Sequence, residues 1–519
     1  MLVSILITAV LLLVLHEAWT FLNWVWIQPR KLEKLLRKQG LKGNSYRFLF
    51  GDARESAIMY DDSYSKPIDL KEDHFPRVMP FHNKILKTYG DRSFLWFGPR
   101  PCVLITEAEM VKTVMNNHML FQKSFKVSNP IAKRQIGGLV RYEGEEWSNS
   151  KKKLSPHFHV EKLKNMVPIM QKSCERILEE WSRVVPNDGS SIVFDVYHDL
   201  PDYSATVVSN ALFGIPYTES VKRTFLLIRE LTFIALHAQP FSIPGEQYLP
   251  TKRYRRANAI EKELTETFTN LINEKLKKRE RGELNGEPTM HDTLLEDLNE
   301  IDIKDKKRRE MVIAEIVYQC KLFFLAGHET TANLIGWTFL LLCIHPKWQT
   351  LARDEALKVI GDKTEVSDDD LERLKIMNMI LHEVLRLYPP AIELTRIVEE
   401  DTTLGDLFLP KGIMVQLIGI YLHRDPKIWG DDVLEFKPER FAEGVLKAAN
   451  GHTAFVPFGG GVRKCLGATM ALREAKLFIA LFLRRFTFDL SPTYMHAPIV
   501  QMNMQPQYGI PLVLRKLQV

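Results

Sequence analysis

The sequence predicts a mainly α-helical protein with a small β component, an α+β fold, preceded by an N-terminal transmembrane helix. Between residues 107 and 387, most apolar residues recur with the period of an α-helix. Two pairs of apolar runs, in 93–106 and 396–420, are separated by turns containing Gly and Pro, which is the pattern of a β-hairpin. The clearest helical stretches are 107–117, 163–181, 257–281, 308–344 and 371–387.

The N-terminus begins with an apolar stretch long enough to cross a bilayer. Residues 2–27 are almost entirely apolar, and a helix of that length spans the hydrocarbon core of about 30 Å. The polar pair His16 and Glu17 leaves a tilted or partly interfacial helix open. A cleaved signal peptide is disfavoured, because the stretch is too long and no small-residue cleavage site follows. The positive-inside rule places the rest of the chain in the cytosol, because basic residues follow the span at Arg30, Lys31, Lys34, Arg37 and Lys38.

The chain divides into an anchor, a short connection and a main body. We predict an anchor at 1–28, a basic linker with a glycine-containing hinge at 29–52, and one domain at 53–519. Length alone permits either one large domain or two fused ones. Residues 279–309 are rich in Lys, Arg, Asp and Glu, and they predict a mobile surface connection.

Charge and cysteine content exclude two classes of protein. A formal net charge of +6 is too weak to indicate nucleic-acid binding. Five cysteines, an odd and sparse set, argue against a disulfide framework and favour a reducing compartment. Four of them are expected to be small buried side chains, namely Cys102, Cys174, Cys320 and Cys343.

The fifth cysteine, Cys465, ends a glycine-rich loop with the sequence FGGGVRKCLG, directly before a helical run. Backbone N–H groups and the helix dipole stabilise a thiolate there, and a thiolate can bind a metal. Gly461 and Gly467 give the backbone freedom for a flat cofactor to approach, and Arg463 offers a cation to an anionic group. A phosphate-binding loop remains the alternative, although the spacing of a P-loop is missing.

The pattern FxxGxRxCxG, from Phe458 to Gly467, resembles the haem-binding loop of the cytochrome P-450 family. The resemblance implies that family's fold over essentially the whole chain and a haem b cofactor. It also implies that Cys465 is the axial ligand of the iron, with a thiolate that promotes cleavage of the O–O bond. Phe458, Gly461, Arg463 and Gly467 become haem-binding residues by the same resemblance.

The sequence AGHETT, at 326–331, interrupts an apolar helical run. On their own, Gly and Thr inside a helix predict a kink or a packing notch. In the family this segment is the distal groove, where an acid and an alcohol relay protons during oxygen activation. Glu329 and Thr330 match that catalytic pair, whereas His328 occupies a variable position and is expected to be structural.

Glu383, Arg386 and Arg440 resemble the family's structural ExxR and PERF elements. Alone, a Glu and an Arg three residues apart on a helix are usually a solvated pair. Their position before the Tyr388-Pro389-Pro390 turn matches the family, in which the three residues fix the fold around the haem.

Trp147 and Lys151 resemble a WxxxR element that contacts a haem propionate, with lysine in place of arginine. Lysine keeps the positive charge but loses the two-pronged geometry of a guanidinium. Arg396 resembles a second propionate partner. A further departure from the family is that no proline-rich PPGP hinge follows the anchor.

The resemblance implies an NADPH- and O2-dependent haem-thiolate monooxygenase with a single span in the endoplasmic reticulum membrane and a cytosolic catalytic domain. The chain shows no flavin or dinucleotide motif, so NADPH-cytochrome P-450 reductase is the expected electron donor. The basic residues 151–153, Arg463 and Lys464 are either its docking face or ordinary solvated charges. Two alternatives are a family isomerase or dehydratase and a haem protein without turnover, and both are disfavoured by Glu329 and Thr330.

The substrate is expected to be a small apolar molecule. Residues 155–166 and 385–396 resemble the plant clan of terpenoid oxidases that contains secologanin synthase, which implies an iridoid, diterpenoid or triterpenoid. By family analogy the pocket is lined by 124–142, 322–330, 391–395 and 500–504. Polar side chains in these segments could orient a hydroxyl, carboxylate or sugar, namely Arg134, Gln135, Glu393 and Asn503.

Overall fold

The structure is a computed structural model that describes residues 2–124, 129–135, 137–236, 245–248, 250–283, 287–298, 301–302 and 305–517. Its helices are α1 Leu2–Leu22, α2 Gln28–Lys38, α3 Ala53–Tyr64, α4 Phe75–Val78, α5 Pro80–Tyr89, α6 Ala108–Asn116, α7 Pro130–Gln135, α8 Gly144–Leu154, α9 Val160–Val184, α10 Leu200–Val207, α11 Glu219–Leu236, α12 Lys252–Glu280, α13 Met290–Leu295, α14 Lys306–Ile344, α15 Pro346–Val359, α16 Asp368–Arg373, α17 Lys375–Leu387, α18 Gly419–Leu422, α19 Pro426–Trp429, α20 Val445–Ala448 and α21 Ala468–Leu483.

The strands are few and short, which confirms the predicted α+β class with a small β component. They are β1 Lys42–Gly43, β2 Ser93–Phe97, β3 Arg100–Ile105, β4 Phe121–Lys123, β5 Ile192–Asp195, β6 Leu394–Val398, β7 Thr402–Leu404, β8 Leu407–Leu409, β9 Met414–Leu417, β10 Phe486–Leu490, β11 Pro498–Gln501, β12 Asn503–Pro506 and β13 Pro511–Lys516.

The N-terminal apolar stretch forms one exposed helix. A five-residue π-helical segment, Asn23–Ile27, joins α1 to α2, so that helix continues from the apolar region into the basic one. The stretch Val3–Lys38 is long and apolar enough to cross a membrane, and none of its most apolar 18 residues is buried. Helix α14 is also long and apolar enough to cross a membrane, but 56% of its most apolar 18 residues are buried, as in a core helix.

The end of this N-terminal helix and the glycine-containing segment after it are packed against the main body. The Tyr46 hydroxyl donates to the carbonyl oxygen of Val25 at 2.6 Å, and Val25 is fully buried. The Asp52 carboxylate accepts the backbone N–H of Trp96 at 2.9 Å, and the Trp96 indole N–H donates to the Asn44 carbonyl at 3.0 Å. These contacts hold residues 44–52 beside strand β2. The division of the chain at residues 28 and 52 stays a prediction.

Six strands form the main sheet, in the order β1-β2-β3-β9-β6-β4. The predicted hairpin at 93–106 is confirmed, because β2 and β3 pair antiparallel across Gly98, which has a φ of 56°. The prediction of one hairpin at 396–420 was incomplete. Strands β6 and β9 do pair antiparallel, but the chain between them folds into a second hairpin, β7–β8, that turns at Gly405.

The helical core is arranged around α14, which packs against α10, α17 and α21. The side chains of Trp337 and Phe339 on α14 are fully buried, which explains why an apolar 39-residue helix lies inside the body. Successive residues of β3 alternate between two apolar clusters. Cys102 and Leu104 join the larger cluster and Val103 joins the smaller one, as the alternation of side chains along a strand requires.

Two predictions of secondary structure need correction. The helix expected at 371–387 is broken at Leu374, whose ψ of 77° ends α16 before α17 begins. The connection expected at 279–309 contains α13, whose capping box pairs Thr289 with Asp292. Met290 and Leu294 of α13 are buried against the core, so the few apolar residues in this charged stretch tie it to the body.

Candidate active site

A cavity of about 570 Å3 lies between the middle of α14 and the glycine-rich loop. One wall comes from α14, at residues 322–334, and the opposite wall from residues 457–471. A third side is formed by 390–396, where the chain leaves α17 and enters β6. The structure therefore brings three sequence motifs, widely separated along the chain, around one space.

Cys465 opens onto this cavity. Its backbone N–H donates to the carbonyl oxygen of Phe458 at 2.9 Å, and α21 begins three residues later at Ala468. Cys465 lines the cavity, and part of its surface is exposed. Burial raises the pKa of the Cys465 thiol, against the opposing effects of the Gly467 N–H and the charge of Lys464. A bound metal cation would supply the positive charge that holds this sulfur as a thiolate.

The two predicted loop glycines have different surroundings. Gly461 has a φ of 60°, and a Cβ atom there would lie 2.4 Å from the carbonyl oxygen of Met115 at the end of α6. Gly461 is therefore needed for the close approach of the loop to α6, and it is not among the residues that line the cavity. Gly467 does line the cavity, where an added Cβ would lie 3.9 Å from the sulfur of Cys465.

Five cationic side chains line the cavity, one of them the exposed Lys464 of the glycine-rich loop. The predicted Lys151, Arg396 and Arg463 are joined by Lys123 in β4, which sequence reasoning missed. Burial and the neighbouring charge of Arg396 lower the pKa of Lys123 to about 7, and burial lowers the pKa of Arg396 to about 10. Beside these cations lies the carboxylate of Glu143, whose Oε1 accepts the backbone N–H of Lys123 at 3.0 Å.

This excess of buried positive charge fits haem, whose two carboxylates need such partners. Only the register of the sheet could have indicated Lys123, because β4 places it directly opposite Arg396 in β6.

The predicted Trp147 and Lys151 lie side by side. The Trp147 ring is buried, with the Arg463 guanidinium 4.0 Å and the Lys151 ammonium 5.0 Å from its centroid. Lys151 donates to the carbonyl oxygen of Val462 at 2.7 Å, while Arg463 donates to the Tyr142 carbonyl at 2.9 Å and pairs with Glu143. The cations thus tie α8 to the cysteine loop. With 4% of its side chain exposed, Arg463 is too buried to belong to a surface docking face.

The two predicted proton-relay residues face different directions. Thr330 lines the cavity, and its hydroxyl donates to the carbonyl oxygen of Ala326 one turn earlier at 2.8 Å. Glu329 is buried beside α11 and the β11–β12 hairpin instead of lining the cavity. Its Oε1 lies 3.5 Å from the Nε of Arg229, and its Oε2 accepts from the amide of Asn503 at 3.3 Å.

The residues beside this pair set the packing of α14. A Cβ atom on Gly327 would lie 2.6 Å from a methyl group of Val208, so this glycine permits the close approach of the π-helical segment Val208–Leu212. His328 is buried and its Nδ1 lies 2.6 Å from the Phe324 carbonyl oxygen, which agrees with the structural role expected for it.

Behind the cysteine loop lies the predicted triad. Both oxygens of Glu383 accept from Arg386, at 2.8 and 2.7 Å, and both side chains are fully buried. Arg440 approaches Glu383 at 3.5 Å and also pairs with Asp432. Arg386 donates to the carbonyl oxygen of His423 at 2.9 Å.

His423 continues this network into the loop, because the backbone N–H of Val456 donates to its Nε2 at 2.9 Å. Burial lowers the pKa of His423 to about 3, so the ring is neutral and able to accept that bond.

The predicted lining of the cavity was partly wrong. Residues from 124–142, 322–330 and 391–395 do line it, but among the described residues no member of 500–504 does. The β11–β12 hairpin instead supplies Asn503 to Glu329. The side chains of Arg134 and Gln135 lie outside the described residues. Cys102, Cys174 and Cys320 are buried as expected, and Cys343 is partly buried.

Comparison with known proteins identifies the family. The family model described as Cytochrome P-450 matches residues 72–512. The chain is 43% identical to 7-deoxyloganic acid hydroxylase of Catharanthus roseus over 518 residues, covering 99% of each chain. It is 42% identical to echinocystic acid 23-monooxygenase of Saponaria officinalis, covering 97% of each chain, and 41% identical to secologanin synthase 2 of Catharanthus roseus, covering 98% and 96%. The chain therefore belongs to the cytochrome P-450 family, whose members bind haem through a cysteine thiolate, and it is a haem-thiolate monooxygenase.

Proposed function

We propose that this monooxygenase is membrane-bound and inserts one oxygen atom from O2 into an apolar terpenoid, using electrons that originate from NADPH. The observation that carries the proposal is the cavity itself. Cys465 opens into it from one wall and Thr330 from the opposite wall, and most of the remaining lining is apolar. An apolar space between a metal-binding sulfur and a proton-carrying hydroxyl is suited to oxidising an unreactive hydrocarbon skeleton.

We assign Cys465 as the residue whose thiolate would hold the haem iron. Lys123, Lys151 and Arg396 are the cations that would neutralise the haem carboxylates. Arg463 forms an ion pair with Glu143, so its main role is to hold the glycine-rich loop against the start of α8. Bound haem supplies the redox chemistry with oxygen that no side chain of this protein can perform.

Thr330 and Glu329 are proposed to deliver protons. Because the Thr330 hydroxyl donates to Ala326, its oxygen lone pairs are free to accept a bond from a donor in the cavity. Glu329 is connected to the surface through Arg229, whose side chain is 55% exposed while that of Glu329 is 11% exposed. Release of Glu329 from Arg229 would let its carboxylate turn and carry a proton from the surface toward Thr330.

The substrate class follows from the relatives and from the lining. The names of the three relatives refer to 7-deoxyloganic acid, echinocystic acid and secologanin. On the α14 wall of this chain the cavity is lined by Leu322, Phe323, Ala326 and Leu334. Each methylene group that such a wall removes from water contributes about 0.8 kcal/mol, so a bulky terpenoid skeleton can bind mainly through burial.

The location and the electron donor belong to the same proposal. A single N-terminal span would anchor the protein in the endoplasmic reticulum membrane with its catalytic domain in the cytosol. NADPH-cytochrome P-450 reductase would supply the electrons. The exposed side chains of Lys152 and Lys464, on the cysteine side of the cavity, could contact an acidic partner.

Reconstitution tests this function. The full-length protein is combined in lipid with NADPH-cytochrome P-450 reductase and a terpenoid panel, and product is measured by mass spectrometry. We expect a product heavier by one oxygen atom, labelled from 18O2, that disappears when NADPH, reductase or oxygen is omitted. A product formed without NADPH would favour an isomerase or dehydratase, and turnover confined to fatty acids would contradict the terpenoid assignment.

A further inference from the structure

One carboxylate stands in the cavity without a cation beside it. Of the residues described, two acidic side chains line the space, Glu393 and Glu474. Glu474 is completely buried in α21, and burial raises its pKa to about 8, so it is uncharged at neutral pH. Glu393 precedes β6, and a third of its side chain is exposed. Glu393 is therefore the acid that a cavity ligand can reach.

A fixed hydrogen-bond chain orients Glu393. The side-chain amide of Gln416 donates to Glu393 Oε2 at 2.5 Å, and the Gln416 carbonyl oxygen lies 2.9 Å from His82 Nε2. Gln416 is fully buried in β9, directly opposite Thr395. One carboxylate oxygen is thus held by the main sheet. Within the described part of the chain Oε1 has no hydrogen-bond partner, so it is available to a ligand.

No lysine or arginine in the described residues forms an ion pair with Glu393 at 4.0 Å or less. Three of the cations that line the cavity form another group, because Lys123, Arg396 and Arg463 influence one another and share Glu143. His82, whose Nε2 is 3.9 Å from Glu393 Oε2, is already engaged with Gln416. Glu393 Oε2 already accepts from Gln416, so a hydrogen-bond donor on a ligand would stabilise the carboxylate through Oε1 when that ligand displaces water from it.

We propose that Glu393 determines substrate specificity by accepting a hydrogen bond from a hydroxyl group on the apolar substrate. The same charge repels a substrate that presents a carboxylate at this position. The inference rests on the proposed oxidation of an apolar substrate in this cavity, and it narrows the polar end of that substrate to a hydroxyl, on the skeleton or on an attached sugar. A terpenoid acid can then bind only with its carboxylate directed elsewhere.

The test is a titration of the purified full-length holoprotein that follows the change of haem spin state. The ligands form a matched terpenoid trio of one skeleton carrying an alcohol, a carboxylic acid or only hydrogen at the same carbon. A long-chain alcohol, fatty acid and alkane form a second trio. We expect the wild type to bind the alcohol at least about tenfold more tightly than the acid.

Glu393→Gln keeps the size of the side chain and removes its charge. We expect the variant to bind the alcohol about tenfold more weakly, to lose most of the preference over the acid, and to bind the hydrocarbon as the wild type does. Glu400→Gln is the control, because Glu400 is exposed just beyond β6 and outside the cavity.

An unchanged ratio of alcohol to acid in Glu393→Gln, with a normal haem spectrum, would overturn the proposal. If that variant loses haem, the titration of the wild type remains the test. Tighter binding of the acid than of the alcohol by the wild type would also overturn the proposal. The long-chain trio distinguishes failure of the Glu393 proposal from failure of the terpenoid assignment. A Glu393-dependent preference for alcohols in the long-chain trio alone supports the role of Glu393 while contradicting the terpenoid assignment.

Discussion

The backbone N–H of Cys465 donates to the carbonyl oxygen of Phe458 at 2.9 Å, which closes the glycine-rich loop on itself. Lys464 makes the neighbouring bond to the Gly461 carbonyl at 3.3 Å. The loop is anchored at its start as well, because the backbone N–H of Val456 donates to the buried His423. The sulfur of Cys465 is therefore presented to the cavity by a backbone that is already ordered.

Removal of the Thr330 hydroxyl should separate electron use from product formation. Thr330→Ala leaves the proposed haem contacts intact, so the spectrum should be unchanged while product per NADPH consumed falls about tenfold and peroxide rises. Thr338→Ala is the matched control, because Thr338 makes the same bond one turn back, to Leu334 at 2.7 Å, outside the cavity. Unchanged coupling in Thr330→Ala would contradict the proton-relay role.

Truncation of Glu383 should lower the stability of the fold as well as the activity. Glu383→Ala leaves the fully buried guanidinium of Arg386 without its partner, which should cost about 3–5 kcal/mol of unfolding free energy and most of the haem content. Glu443→Ala breaks an exposed pair with Lys447 and should change stability by less than about 1 kcal/mol. Equal unfolding midpoints for the two variants in urea would contradict this account.

Haem affinity should depend on the protonation of Lys123. Its pKa is about 7 and rises when anionic carboxylates bind, so haem binding takes up a proton above pH 7. Affinity is then highest below pH 7 and falls as pH rises, by at most about tenfold per pH unit. Haem transfer to apomyoglobin measures this slope, which Lys123→Met should flatten. An equally steep slope in the variant would mean that another group titrates.

Two deletions should distinguish the anchor from the body. Deletion of 2–22 removes exposed apolar helix only, so the protein should move toward the soluble fraction with its haem and thermal midpoint unchanged. Deletion of 1–28 also removes the buried Val25 that holds Tyr46, so the midpoint should fall. Retention of the shorter deletion in the membrane after an alkaline wash would show a second membrane attachment.

Features that depend on local sequence could be predicted, and those that depend on distant pairing could not. The residues from Phe458 to Gly467 act within one loop, and Glu383 and Arg386 are one helical turn apart, so their patterns indicated the arrangement. Lys123 could not be predicted, because only the pairing of β4 with β6 brings it to the cavity. The direction of Glu329 likewise depends on Asn503, which is 174 residues away along the chain.

The identity of the metal-binding sulfur is the central claim, and the spectrum of the reduced carbon monoxide complex tests it most directly. Cys465→His replaces the thiolate by a neutral nitrogen ligand, and Cys343→Ala removes a partly buried cysteine at the far end of α14 as the control. We expect Cys465→His to lose the red-shifted Soret band that a thiolate ligand produces, and Cys343→Ala to keep it. Persistence of that band in Cys465→His would contradict the assignment.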